Sequence, residues 1–186
     1  GYFPQIAGQH VNVLIKQMAD IRAGNRDNPM MYPFTLDKYL NGTQGITDVS
    51  AYVSTLKPSL NNNIGPGNDL ELGEKLYKQN CVKCHGDYGE GSNEFAYPKI
   101  QGQHYNYLLR QFIWIRDGKR RNANKKMMGQ IRLNLKVQEK LLPKHLAYLI
   151  IISFNKFHQT EYGPSSDSGG SNASDSDSAH DSSEST

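Results

Sequence analysis

Residues 3–28 and 97–122 are two versions of one segment. The first reads FPQIAGQHVNVLIKQMADIRAGNRDN and the second YPKIQGQHYNYLLRQFIWIRDGKRRN. At a fixed offset of 94 residues, thirteen of these 26 positions are identical, including a Gly-Gln-His triplet and an Arg-x-Gly-x-Arg-x-Asn pattern. After a three-residue insertion, Met30-Met31 answers Met127-Met128, and AYVSTL at 51–56 answers AYLIII at 147–152. Self-similarity of this length means two copies of one structural unit. A chain of 186 residues, 37% of them hydrophobic, is enough for one medium domain or two small ones, and the repeat selects two.

Each copy shows the same helical periodicity. After the Gly-Gln-His segment of copy two, apolar residues fall at Tyr105, Leu108, Phe112 and Ile115; in copy one the same slots hold Val11, Leu14, Met18 and Ile21. Spacings of three and four put such residues on one stripe of an α-helix. Gly24 and Gly118 follow where a helix ends on a left-handed residue. A second helix closes each copy, starting near Pro143 in copy two, where the missing N–H is harmless. A further helix is expected over LELGEKLYKQN at 70–80, capped by Asn68 or Asp69. KPSLNNNIGPGND at 57–69 has no apolar period and reads as linker. The expectation is an all-α fold: copy one over 1–56, linker over 57–69, copy two over 70–158 and a tail over 159–186.

Charge is unevenly placed. All 21 Lys and Arg lie in residues 1–162 against 13 Asp and Glu, a net +8, whereas residues 163–186 carry five acids, ten serines and no base. Such a tail cannot bury enough apolar surface to offset its ordering entropy, and disorder is expected there. A basic body favours an acidic protein partner. Nucleic acid is set aside, because the basic residues are scattered and no nucleic-acid motif is present. No apolar run approaches the roughly 18 residues that span a bilayer. No secretory signal is visible, and the first residue is Gly1 rather than Met, which suggests a processed chain or a fragment.

The only cysteines stand together in CVKCH at 81–85. Thiols at i and i+3 on the last turn of the helix over 70–80, which runs into the motif, project to one side, where they can form thioethers with the two vinyl groups of one haem. His85 then offers its imidazole to the iron; C-x-x-C-H is the c-type haem attachment signature. Three rivals fit less well. A thioredoxin-like pair expects a strand before the motif, structural zinc wants four ligands and there is no second Cys pair, and a disulfide leaves His85 without a purpose. A low-spin haem needs a second axial ligand, often a methionine thioether. Met128 is the candidate, with Met127 its runner-up, because the Met-Met pair recurs in both copies within a polar loop. Core filling is the ordinary use of Met. His104 would be an alternative imidazole, but it stands at a helix start and recurs as His10, and it is read as structural or close to the haem propionates.

Gly73, Tyr77, CVKCHGDYGEG, YPKIQGQHYNYLLRQF, IRDGKRRN and the Met pair together resemble a class I cytochrome c domain, and the tandem copy resembles the two-haem cytochrome c4 family. The resemblance spans about residues 1–155. It implies a helical fold wrapped round haem c, with two domains facing across a pseudo-twofold. Cys81 and Cys84 would hold the haem, His85 would be the proximal ligand, Met128 the distal one, and the Pro98 carbonyl would accept the His85 N–H. Gly73 and Tyr77 would sit where the first helix crosses the last, near Tyr148. Haem attachment of this kind implies a periplasmic or membrane-surface location.

Copy one departs from the pattern, because it contains no CxxCH. Its Met31 would be a distal ligand without a haem in this chain. Truncation of a two-haem protein and natural loss of one haem compete as explanations. An incomplete copy one is expected to pack poorly, its apolar stripe leaning on copy two or exposed. The expected function is a one-electron carrier rather than an enzyme, with one haem c in this chain. Its partners would be redox proteins such as a quinol-oxidising complex, a terminal oxidase or a periplasmic oxidoreductase, with peripheral membrane association as an option. Lys83, Lys99, Arg120, Arg121, Lys125 and Lys126 are candidates to guide docking. One rival is the cytochrome subunit of a redox enzyme, for example with a sulfide-oxidising flavoprotein; exposed Trp114, Phe112 or Tyr107 would point to it. The other is a haem enzyme such as a peroxidase, which needs five-coordinate iron.

Overall fold

The computed structural model describes residues 3–59, 62, 70–129 and 131. Copy one contributes α1 (Val11–Arg22), a 3-10 turn at Tyr32–Thr35, α2 (Asp37–Leu40) and α3 (Gly42–Thr55). Copy two contributes α4 (Leu70–Asn80), the short α5 (Val82–His85) and α6 (Tyr105–Arg116). Among the described residues there is no strand beyond an isolated antiparallel bridge between Ser92 and Tyr97. The linker is described only at its edge and at Asn62; the expected Pro143 helix, Tyr148 and the tail lie outside the described residues.

The repeat reappears in three dimensions. α1 and α6 are both 12 residues long and both begin after a glycine in the left-handed region, Gly8 and Gly102, each at φ +67°. In each copy the glutamine after that glycine turns its Oε1 back to accept the N–H of the next histidine, at 3.1 Å for Gln9–His10 and 3.1 Å for Gln103–His104. Both helices stop just before another left-handed glycine, Gly24 at φ +73° and Gly118 at φ +74°. Glycine adopts this conformation without the roughly 1–2 kcal/mol cost that a side chain incurs.

α1 packs on α3, burying Val13, Leu14 and Ile21 with Ile46 and Ser50. Arg22 ties the far end together: its Nε donates to the Thr35 carbonyl at 2.5 Å, its Nη2 to that of Gly42, and its Nη1 pairs with Asp37. The α1 stripe therefore neither leans on copy two nor lies exposed, because α3 covers it. The exposed apolar side chains of copy one come instead from outside α1, Met30, Met31, Tyr32, Phe34, Tyr39 and Tyr52 among them. The core of copy two is a cluster of Tyr77, Tyr105, Leu108, Ile115 and Ile131.

The two copies are joined by a reciprocal clasp. Gln9 of copy one accepts the Lys99 N–H at 2.8 Å and donates to the Lys99 carbonyl at 2.9 Å. Gln103 of copy two accepts the Gln5 N–H at 2.6 Å and donates to the Gln5 carbonyl at 2.9 Å. Gln5 and Lys99 are repeat counterparts, as are Gln9 and Gln103. The same interaction made in both directions is the mark of a pseudo-twofold axis. Near it, Arg26 donates to Gln17 and to the Tyr107 hydroxyl, while its counterpart Arg120 donates to Gln111, Asn122 and Gln17.

Candidate haem-attachment site

α4 presents an apolar face, burying Gly73 and Tyr77, and delivers the chain to the cysteines. Cys81 continues the ladder, its N–H donating to the Tyr77 carbonyl, but its φ of −116° sets a kink before α5. The motif is thus a separate short turn rather than the last turn of the preceding helix. Cys84 and His85 both donate their N–H groups to the Cys81 carbonyl, at 3.1 and 2.9 Å, closing that turn. Gly86, at φ +77°, ends it. The Tyr77 hydroxyl donates to the Gly86 carbonyl at 2.5 Å, so the core aromatic also anchors the exit from the motif.

Both thiols are free cysteines, and both are half-buried. Burial, with the Cys84 sulfur nearby, pushes the Cys81 thiol up to about 12. A redox-active CxxC thiol has its pKa lowered, so the environment of Cys81 argues against a thioredoxin-like role. Among the described residues, no group of three His, Cys, Asp or Glu side chains converges to hold a metal ion, which leaves the zinc reading without ligands.

His85 is 8% exposed, and its Nδ1 lies 3.0 Å from the Pro98 carbonyl oxygen. A carbonyl only accepts, so Nδ1 carries the proton and Nε2 keeps its lone pair. Burial lowers the His85 pKa, with the Pro98 bond acting the other way, so the ring is neutral near pH 7. A neutral imidazole with its outer nitrogen anchored is the form in which histidine binds a metal. The Pro98 segment is held by the backbone: the Gly91 N–H donates to the His85 carbonyl at 2.8 Å. Gly91 sits at φ +69°, so close to the 97–98 backbone that a Cβ would fall 2.4 Å from the Tyr97 carbonyl oxygen. Beside Cys84 lies an open cleft of about 380 Å³ lined by Val82, Gly86, Gly91, Phe95 and Tyr97, among others.

Met127 and Met128 lie on a helical turn over 125–129 rather than in a loop, and Asn124 caps it through its side chain to the Lys126 N–H at 2.8 Å. Both methionines are half-buried and pack against the Tyr77 cluster, as do Cys81 and Val82. The cluster thus brings the distal candidates and the attachment motif to one core. Met30 and Met31 stand 63% and 39% exposed in copy one. His104 caps α6 by position only, and its buried Nδ1 has no hydrogen-bond partner among the described residues. Free thiols, an anchored neutral imidazole and a thioether pair on one apolar core form a donor set that fits a covalently held haem.

The candidate docking cations separate into two groups. Lys83, Arg121, Lys125 and Lys126 are exposed, whereas Lys99 is half-buried in the clasp. Arg120 is spent inside the interface between copies, where burial and Arg26 push its pKa down to about 10, and the exposed Arg121 also donates to the Gly24 carbonyl. Nor do the aromatics named as signs of a permanent partner form an exposed face: Tyr107 is buried, Phe112 packs on the core, and Trp114 is half-buried beneath Arg110. Sequence reasoning missed Gly91, Glu90 and the copy-one residues Gln9, His10 and Asn12 that reach this region. Their signal was present in the GDYGEG run and in the recurrence of Gly-Gln-His.

The cytochrome c family model matches residues 70–140. The chain is 32% identical to the cytochrome c4 of Azotobacter vinelandii over 68% of this chain and 66% of that one. It is 31% identical to the cytochrome c4 of Pseudomonas aeruginosa over 72% and 68%. A relative named thiosulfate dehydrogenase electron acceptor, from Stutzerimonas stutzeri, is 30% identical over 69% and 62%. Among solved structures, reduced cytochrome c4 from Pseudomonas stutzeri superposes with a TM-score of 0.65 at 28% identity, covering 80% of this chain and 84% of that one. The chain spans about two thirds of the length of the curated relatives it matches. Shared sequence over both repeat copies, shared architecture and the attachment motif lead to one conclusion: the chain belongs to the cytochrome c family, in its two-domain cytochrome c4 branch, whose members carry covalently bound haem c and transfer electrons.

Proposed function

We propose that this chain carries one haem c, bonded through thioethers to Cys81 and Cys84, with His85 and Met128 as axial ligands, and works as a one-electron carrier. The observation that supports it most is the buried His85 ring, its Nδ1 anchored 3.0 Å from the Pro98 carbonyl oxygen with Nε2 left for iron. When bound, the haem supplies an Fe(III)/Fe(II) couple. The chain's own residues supply the rest: a rigid proximal ring, a thioether on the Tyr77 core, and exposed Lys83, Lys125 and Lys126 for transient docking. Two strong-field ligands leave no open position for a substrate, which separates a carrier from a peroxidase.

The proposed location is the periplasm, where attachment of this kind takes place. No helix among the described residues is long and apolar enough to cross a membrane. Partners of the proposed carrier are redox proteins with acidic docking faces. The relative named thiosulfate dehydrogenase electron acceptor favours a second reading, service to one periplasmic oxidoreductase. The deciding experiment is the spectrum of the reduced, pyridine-treated protein after expression with haem-attachment machinery. One haem per chain is expected; a colourless chain with both thiols titrating overturns the proposal.

A further inference from the structure

Three residues at the start of α1 in copy one hold a loop of copy two. Gln9 makes two hydrogen bonds with Lys99, the His10 Nε2 lies 2.7 Å from the Glu90 carbonyl oxygen, and Asn12 makes two with Asn93. The loop so held, 90–99, supplies two backbone contacts to His85: the Gly91 N–H on its carbonyl and the Pro98 carbonyl on its Nδ1. Copy one therefore grips the structure that orients the proximal ring.

One of these contacts reaches further. The Pro98 carbonyl and the Lys99 N–H belong to the same peptide group, which is planar and conjugated. Gln9 Oε1 accepts from that N–H at 2.8 Å, and His85 Nδ1 donates to that carbonyl at 3.0 Å. Hydrogen bonds in series through a conjugated amide polarise one another. Electron density drawn toward the carbonyl by the Gln9 contact makes Pro98 a better acceptor, which makes the imidazole a stronger donor. Gln9 is itself locked: its Oε1 also receives the His10 N–H, and its Nε2 is bound to the Lys99 carbonyl.

We propose that Gln9 of copy one is a positioning residue for the proximal ligand of copy two, lowering the reduction potential through the Lys99–Pro98 peptide and His85. The proposal rests on the reading of His85 as an iron ligand. A stronger imidazole donor favours Fe(III), so removing the Gln9 acceptor raises the potential. Loss of a direct partner of a metal ligand typically costs about 10–100-fold. Gln9 stands one hydrogen bond further out, and a shift of about threefold in the Fe(III)/Fe(II) equilibrium is expected, about 28 mV at 59 mV per tenfold for one electron.

The fold contains its own control. Gln103 makes the same pair of bonds, but to Gln5 of copy one, away from His85. Gln9→Met and Gln103→Met each keep side-chain length and each remove two hydrogen bonds between the copies. The haem-loaded full chain is titrated potentiometrically for both, with haem content and thermal midpoint measured alongside. Gln9→Met is expected to raise the potential about threefold in equilibrium terms and to speed exchange of the Lys99 amide proton. Gln103→Met is expected to lose similar stability and leave the potential unchanged. Equal shifts from both variants, or none from Gln9→Met, overturn the proposal. If Gln9→Met does not fold, Lys99 amide exchange in the unaltered protein decides: protection supports the clasp and free exchange overturns it. A colourless protein defeats the haem reading as well, whereas a coloured low-spin protein whose potential ignores Gln9 defeats this proposal alone.

Discussion

Gly91 and His85 are held face to face, the Gly91 N–H donating to the His85 carbonyl at 2.8 Å while the glycine Cα lies against the Pro98 backbone that anchors the His85 ring. Gly91→Ala sets a methyl 2.4 Å from the Tyr97 oxygen and 2.7 Å from the Pro98 oxygen. The left-handed backbone alone costs about 1–2 kcal/mol with a side chain present, and the clash adds to it. A lower thermal midpoint and a raised potential are expected together, because the carbonyl that anchors His85 must move. An unchanged potential in a folded Gly91→Ala protein would count against the anchoring role of Pro98.

Tyr77 joins the core of copy two to the end of the haem motif. Its hydroxyl is buried and bonded to Gly86, and burial raises its pKa well above the ordinary value. Tyr77→Phe keeps the ring and strands the Gly86 carbonyl. The expected loss is about 1–2 kcal/mol of stability, read as a lower denaturant midpoint with an unchanged slope.

Arg120 bonds Gln111 within its own copy and Gln17 across the interface. Arg120→Met removes a cation whose burial is costly but takes a donor from Gln111, while Gln17 keeps Arg26 and Asn122. Breaking charge-assisted bonds of this type costs about 1.5–3 kcal/mol each, and the gain from no longer burying the charge offsets part of it. A net loss of about 2 kcal/mol is expected in chemical denaturation, with haem content unchanged.

His104 gives the fold an acid sensitivity. Burial lowers its pKa below the ordinary histidine value near 6.5. The unfolded chain therefore takes up a proton at a pH where the folded chain resists it. Stability is fully present above about 6.5 and is lost as pH falls from there through the lower folded pKa. His104→Gln is expected to shrink the drop in thermal midpoint between pH 7.5 and 5; an identical drop in both proteins would remove His104 as a cause.

The two methionines of copy two are separable by spectroscopy. Met128→Ala is expected to convert low-spin iron to high-spin and abolish the near-infrared band of thioether ligation, while Met127→Ala keeps both and lowers stability through the core. The reverse result would transfer the distal role to Met127.

Helix positions, their ends and the duplication were readable in the sequence, because they depend on local periodicity and on glycines whose conformation no other residue adopts cheaply. α4 occupies Leu70–Asn80, the span its pattern indicates, and Gly24 and Gly118 end their helices as expected. The CVKCH motif stands out equally in the sequence, since the attachment chemistry proposed for it lies in five consecutive residues. Tertiary packing alone decided that α3 covers the α1 stripe, that Arg120 turns inward instead of toward a partner, and that Gln9 reaches across to Lys99. These relations join residues far apart in the chain, 32 positions for Met18 and Ser50, 90 for Gln9 and Lys99 and 103 for Gln17 and Arg120, and identical side chains at repeat positions face different surroundings in the two copies. Periodicity reports which face of a helix is apolar; which surface meets that face is settled only when the helices pack and the copies dock.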